Sequence, residues 1–150
     1  MTRAVTRIVG DEEGLRALFR EVPVIATLGM ELASLSNEGA TVTMPFSRAH
    51  VQEEGILHGG ILTTLADTAA VYSLAIGLPE GQSMTSIELK LNFLRPAVPD
   101  LGALEARSKR IRRSRKVGVS EVEVFQADRL LAKGLFTYLF FTRRLRPRDA

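Results

Sequence analysis

The sequence predicts an α+β domain in which a curved antiparallel sheet wraps one long central helix. Three observations predict it. Residues 58–78, HGGILTTLADTAAVYSLAIGL, form an uninterrupted helical stretch that is apolar on every face, which marks a helix buried by the rest of the domain. The segments on either side alternate apolar and polar residues, the period of half-buried strands. The late connections are short and rich in turn residues, so the later strands pair antiparallel. The chain has 150 residues, 45% hydrophobic and 25% charged, enough for one domain (1–150) with a real core. It holds no internal repeat, low-complexity stretch or linker.

The elements follow in order. Residues 11–21, DEEGLRALFRE, read as a short amphipathic helix with acidic residues in its first turn, where the helix dipole favours them. Val22 to Leu35 is mostly apolar and is expected to be the first strand. Asn37-Glu38-Gly39 is a turn signal, and ATVTMPF alternates as the second strand. Residues 47–57 form a polar loop into the central helix. In SIELKLNFLR, Ile87, Leu89, Leu91 and Phe93 alternate with Glu88, Lys90 and Asn92, giving a strand from Ser86 to Arg95. Pro96, Pro99, Asp100 and Gly102 mark a turn. Leu104 to Arg113 is a strand with a basic rim. Val117 to Phe125 is the next, and its alternation slips between Val119 and Val122, as a bulge would make it do. Ala127-Asp128-Arg129 is a tight connection into a last strand, Leu130 to Thr142.

Composition excludes several classes. With no cysteine there is no disulfide or thiol chemistry, and with only His50 and His58 as histidines no metal site is expected. The first twenty residues lack the apolar core of a secretory signal. Asp67, several hydroxyls and Pro79 argue against a spanning helix over 61–78, so a cytoplasmic protein without membrane contact is expected. Net charge is only +3, but RSKRIRRSRK at 107–116 and the tail RRLRPRDA concentrate basic residues. Such a strip is either a solvated strand face or a seat for an anionic partner. It lacks interleaved aromatics and any recognised motif, so no nucleic-acid partner is expected.

Asp67 is the anomaly. A carboxylate in the middle of a buried helix must be compensated or used. Thr63 and Thr64, one turn earlier, could hold it as a structural residue; otherwise it is a base or nucleophile in a partly desolvated pocket. Gly59 and Gly60 open the same helix. Their N–H groups are free donors of a helix N-terminus, and without side chains they let a ligand reach the backbone. A lone histidine at His58 is more often structural than catalytic.

The stretches GILHGGILTTLADTAA and SIELKLNFLRPA resemble the hotdog-fold acyl-CoA thioesterases of the phenylacetic-acid-degradation (PaaI-like) type, with similar element order from about Leu28 to Thr142. In that family a loop residue, usually Asn, precedes an HGG that opens the central helix, and an Asp follows nine residues after the His. Gln52, His58-Gly59-Gly60 and Asp67 occupy those places. The resemblance implies a hotdog fold and hydrolysis of an acyl-CoA to free acid and CoA, with no cofactor beyond the CoA of the substrate. It implies that the backbone N–H at the helix start holds the thioester carbonyl, and that Asp67 acts from the other subunit. It makes His58 a residue lining the site, gives Gln52 an amide that can hold water or the carbonyl, and sets Ser86 near the carboxylate and its water. Thr64 and Gly60 join the substrate side. Arg95, Arg112, Arg113, Arg115 and Lys116 become candidates for the CoA phosphates, with Ser114-Arg115 standing where many relatives carry glycine and a basic residue.

Geometry agrees with a shared site. Gly59 and Asp67 are eight residues apart, about 12 Å along a helix axis. Both must lie within about 3 Å of one thioester carbon for direct chemistry. Two antiparallel helices across a two-fold axis can satisfy that, so a homodimer is the minimum and a homotetramer of paired dimers is expected. The competing readings are a non-catalytic acyl-CoA-binding or regulatory module and a hydratase. Too few residues precede the first strand for a helix-turn-helix, and His58 precedes Asp67 rather than following it, so both are weaker.

Overall fold

A computed structural model describes residues 10–142; the arginine-rich tail lies outside the described residues. Asp11 caps helix α1 (Glu12–Glu21) by accepting from Gly14 N. Then come α2 (Pro23–Leu28), β1 (Glu31–Leu35), β2 (Gly39–Met44), the long helix α3 (Gly59–Ala75), β3 (Gln82–Phe93), β4 (Leu104–Arg113), β5 (Val117–Gln126) and β6 (Arg129–Thr142). The six strands form one antiparallel sheet in the order β1-β2-β4-β5-β6-β3. Helix α3 packs on the inward residues of β2, β4 and β5, and α1 packs over it, with the Phe19 ring edge-on to Tyr72 at 4.9 Å between centroids. This is the hotdog arrangement.

Two expectations are corrected. The first half of Val22–Leu35 is helix rather than strand. Pro23 sits at the helix start, where its missing N–H is harmless, and Gly29 closes the helix in the left-handed region at φ 63. The bulge expected in Val117–Phe125 between Val119 and Val122 lies instead on the neighbouring strand, where Ile111 is the extra residue between Arg110 and Arg112. Strand β5 itself alternates without a slip. Its inward position at Ser120 is polar because that hydroxyl meets Ser73 of α3 at 2.9 Å in the core.

Helix α3 is not closed on every side. Leu62, Leu65, Ala66, Ala69, Ala70 and Leu74 are buried, but Thr64, Asp67 and Val71 form a half-buried stripe that starts at exposed Gly60. These positions recur at helical spacing on one face. Asp67 therefore sits on the one side of α3 that its own chain leaves open.

The edge strand β3 has the opposite peculiarity. Its residues are mostly exposed, with Ile87 at 55%, Leu89 at 45% and Phe93 at 55%. Leu89 pairs with buried Phe136, so it lies on the helix-facing side of the sheet, beyond the reach of α3. No helix among the described residues is long and apolar enough to cross a membrane.

Candidate functional site

The chemistry-bearing residues gather in three hollows along α3. At the helix start, His58 is the N-cap: its Nδ1 accepts from Gly60 N at 2.9 Å. That satisfies one orphan donor and fixes the ring proton on Nε2. Ile61 N and Leu62 N bond back to His58 O. Gly60 N–H is thus not the free donor the sequence suggested. Gly59 N–H is the one left without a partner among the described residues. It opens on a cavity of about 400 Å³ lined by Gln52, Leu62, Phe93 and Arg95 among others. The Gln52 Oε1 accepts from Glu54 N at 3.2 Å, which leaves its Nε2 donors for a ligand. Arg95 donates to Leu130 O at 2.9 Å, anchored at the rim.

Asp67 lies in a second cavity, of about 280 Å³. Its polar wall is Asp67, Thr85, Ser86 and Tyr138; its apolar wall is Leu15 and Leu18 of α1, Val71 and Ala75 of α3, and Met84 of β3. Ser86 lines the same cavity as Asp67. The threonines are not partners of the carboxylate. Thr63 and Thr64 donate to Gly59 O and Gly60 O, each at 2.9 Å, one turn back on the helix. The carboxylate's partner is a residue the sequence did not single out: the Tyr138 hydroxyl donates to Asp67 Oδ1 and lies 3.3 Å from the Asp67 carbonyl oxygen. Burial, then the Asp67 charge and this hydrogen bond, hold the Tyr138 phenol far above the ordinary tyrosine range, so it stays protonated and only donates. Tyr72, also on this cavity, is pushed up to about 12 by burial.

His58, Gly60 and Thr64 share a third, shallow hollow with His50, on the outer side of the helix start. Arg113 is at neither cavity. It donates to Ile76 O and Gly77 O, both at 2.6 Å, and Arg110 donates to Ser73 O at 3.0 Å. Together these guanidinium groups cap the C-terminal carbonyls of α3, where a cation also opposes the helix dipole. Burial lowers both arginines somewhat, with the neighbouring Arg113 charge adding to the effect on Arg110. Arg112, Arg115 and Lys116 are exposed at the β4–β5 turn. No three His, Cys, Asp or Glu side chains among the described residues come together so as to hold a metal ion.

Gly59 and Asp67 thus open on different cavities of the same chain, and both cavities are incomplete. Each is walled on one side by β3 residues that are themselves exposed, Phe93 for one and Thr85 and Ser86 for the other.

Comparison with known proteins adds the following. The model of the thioesterase superfamily matches residues 54–133, which contain both Gly59 and Asp67. A thioesterase of Haemophilus influenzae is 25% identical in sequence and superposes with a TM-score of 0.77, over 87% of this chain and 90% of its own. A thioesterase family protein of Silicibacter pomeroyi is 28% identical, with a TM-score of 0.80 over 86% and 96%. A phenylacetic acid degradation-related protein of Ralstonia eutropha is 28% identical, with a TM-score of 0.73 over 79% and 90%.

Proposed function

The chain belongs to the thioesterase superfamily and is a thioester hydrolase, and from that premise we propose that it hydrolyses an acyl-CoA at sites shared between two subunits. One observation carries the reading. The free N–H of Gly59 and the half-open carboxylate of Asp67 lie on one helix but face separate cavities. A second copy running antiparallel would bring the Asp67 cavity of one subunit against the Gly59 cavity of the other.

In this site the thioester carbonyl accepts from Gly59 N–H, at a helix N-terminus whose dipole favours developing negative charge. The Nε2 of Gln52 is a second donor within the same cavity. Asp67 of the other subunit takes a proton from water as the water attacks the carbonyl carbon, or attacks that carbon itself. The tetrahedral intermediate then expels CoA thiolate; on the water route this gives the free acid directly, and on the nucleophilic route water then cleaves the mixed anhydride left on Asp67 to the free acid and restores the carboxylate. Ser86 and Thr85 offer hydroxyls to the attacking water, and the apolar wall from Leu15 to Ala75 is the surface for the acyl chain. Arg95, and Arg112, Arg115 and Lys116 at the exposed turn, are the cations open to phosphate; Arg113 first satisfies helix carbonyls.

The test is thioester hydrolysis across short, long and aryl acyl-CoAs, with Asp67→Asn in parallel. Turnover that vanishes in the variant supports the reading. No turnover on any member, with CoA still bound, would replace it with a binding module.

A further inference from the structure

We propose that Tyr138 is the positioning residue of the site: its hydroxyl holds Oδ1 of Asp67 and so turns the other carboxylate oxygen, Oδ2, toward the thioester. The inference rests on the hydrolase reading above and adds to it the group that orients the base.

The geometry carries it. Tyr138 is only 2% exposed, set in β6 between buried Phe136 and Phe140 on the same inward face. Its ring cannot turn without displacing the core. Its hydroxyl reaches the open stripe of α3 and donates to Asp67 Oδ1, with the Asp67 carbonyl oxygen also 3.3 Å away. A phenol has one proton, so the bond to Oδ1 fixes which oxygen is occupied. No other side chain among the described residues bonds the Asp67 carboxylate. Thr63 and Thr64 are committed to backbone carbonyls, and Ser86 makes no such bond although it lines the same cavity. A carboxylate on a helix surface has two rotatable torsions, and a bond to a rigid ring removes that freedom before substrate arrives. No proton passes through Tyr138, and no bond to it forms or breaks in the reaction.

The experiment has two arms. In the kinetic arm, Tyr138→Phe is expected to lower kcat by roughly 10- to 100-fold, the effect of losing one hydrogen bond to a charged group, with KM nearly unchanged. Added to Asp67→Asn, the same substitution is expected to lower the residual rate no further. A kcat at the wild-type level, or a loss confined to KM, overturns the proposal.

The second arm needs neither activity nor a change at Tyr138. The chain has two tyrosines and no tryptophan, so Tyr72→Phe leaves Tyr138 as the sole emitter. Its emission is expected to be quenched by the carboxylate and to recover in Tyr72→Phe/Asp67→Asn. Identical emission in the two proteins overturns the bond even if Tyr138→Phe fails to fold. Quenching that recovers in Tyr72→Phe/Asp67→Asn, with the unsubstituted protein inactive on every acyl-CoA, would leave the bond standing and sink the hydrolase reading instead.

Discussion

Replacing one N–H tests the shared site. Gly59→Pro removes the N–H of Gly59 and puts the ring's Cδ in its place. Gly59 is the first residue of α3, where proline's missing donor breaks no helical bond and its fixed φ suits the helix. His58 before it has φ −62 and ψ 132, the extended conformation that a residue preceding proline prefers. The one close neighbour is Phe93, whose Cζ lies 3.2 Å from a Cβ built on Gly59; that ring is 55% exposed and free to swing aside. Folding should survive. Loss of one oxyanion donor is worth about 10²–10³ in kcat. Asp67→Asn should cost at least as much, because the base is gone. The decisive step combines the two. If Gly59 serves the Asp67 of another subunit, a mixed dimer of the two variants has one site with both defects and one with neither. It should regain about half the wild-type rate per dimer. Two affinity tags isolate that species, and a thiol reagent follows released CoA without background because the protein has no cysteine. A mixed dimer as inactive as its parents would refute the shared site. A fully active Gly59→Pro would refute the donor.

Other consequences can be measured directly. Tyr72 is raised to about 12 and Tyr138 further, so the folded protein keeps both phenolic protons above the ordinary tyrosine value of about 10. The unfolded chain releases them first. This contribution to stability is whole below about pH 10 and declines as pH rises toward and past 12; tyrosinate absorbance at high pH should appear only together with loss of circular dichroism. Ser73→Ala should destabilise by about 1 kcal/mol in urea melts, since Ser120 keeps its bond to Lys109 O at 3.1 Å. Gly118→Ala should cost about 1–3 kcal/mol by overpacking, because its Cβ would lie 2.6 Å from Phe140 Cζ. Leu89→Glu on the exposed β3 edge should shift the light-scattering mass toward monomer and abolish turnover while the isolated chain stays folded.

Much of this was legible in the residues. Period-2 alternation located the later strands, and the apolar 61–78 run with its HGG start located α3 and both ends of the proposed site. Helix α2 escaped because six residues are too few to display a helical period, although Pro23 and Gly29 flank it with recognisable start and stop chemistry. The bulge was assigned to the wrong strand because a buried serine looks like a broken pattern until its partner, Ser73, is known. Tyr138 was legible as inward-facing from FTYLF, but the bond to Asp67 joins residues 71 apart and no local pattern encodes it. Arg113 is a phosphate candidate by its charge together with the CoA that the family resemblance implies. That β4 passes beneath the end of α3, so that Arg113 donates to the Ile76 and Gly77 carbonyls there, is a fact of topology.

The apolar helix and its carboxylate are two sides of one arrangement. A six-stranded sheet can cover only one side of α3, and α1 covers part of another, so a stripe through Thr64, Asp67 and Val71 stays open in any single copy. The same limit strands Ile87, Leu89 and Phe93 on an edge strand twelve residues long, with unpaired backbone groups that a soluble protein normally protects. A second copy added at β3 would continue the sheet, lay its own helix over that ledge, and put a helix N-terminus opposite the open stripe. A charged residue in a core would be destabilising; on a surface that becomes a wall of another subunit's cavity it is desolvated only where substrate binds. If two copies pair as proposed, the carboxylate in this otherwise apolar helix lies at the seam between subunits, and moving it one turn along the same stripe, to Val71, should leave the fold intact and the hydrolysis lost.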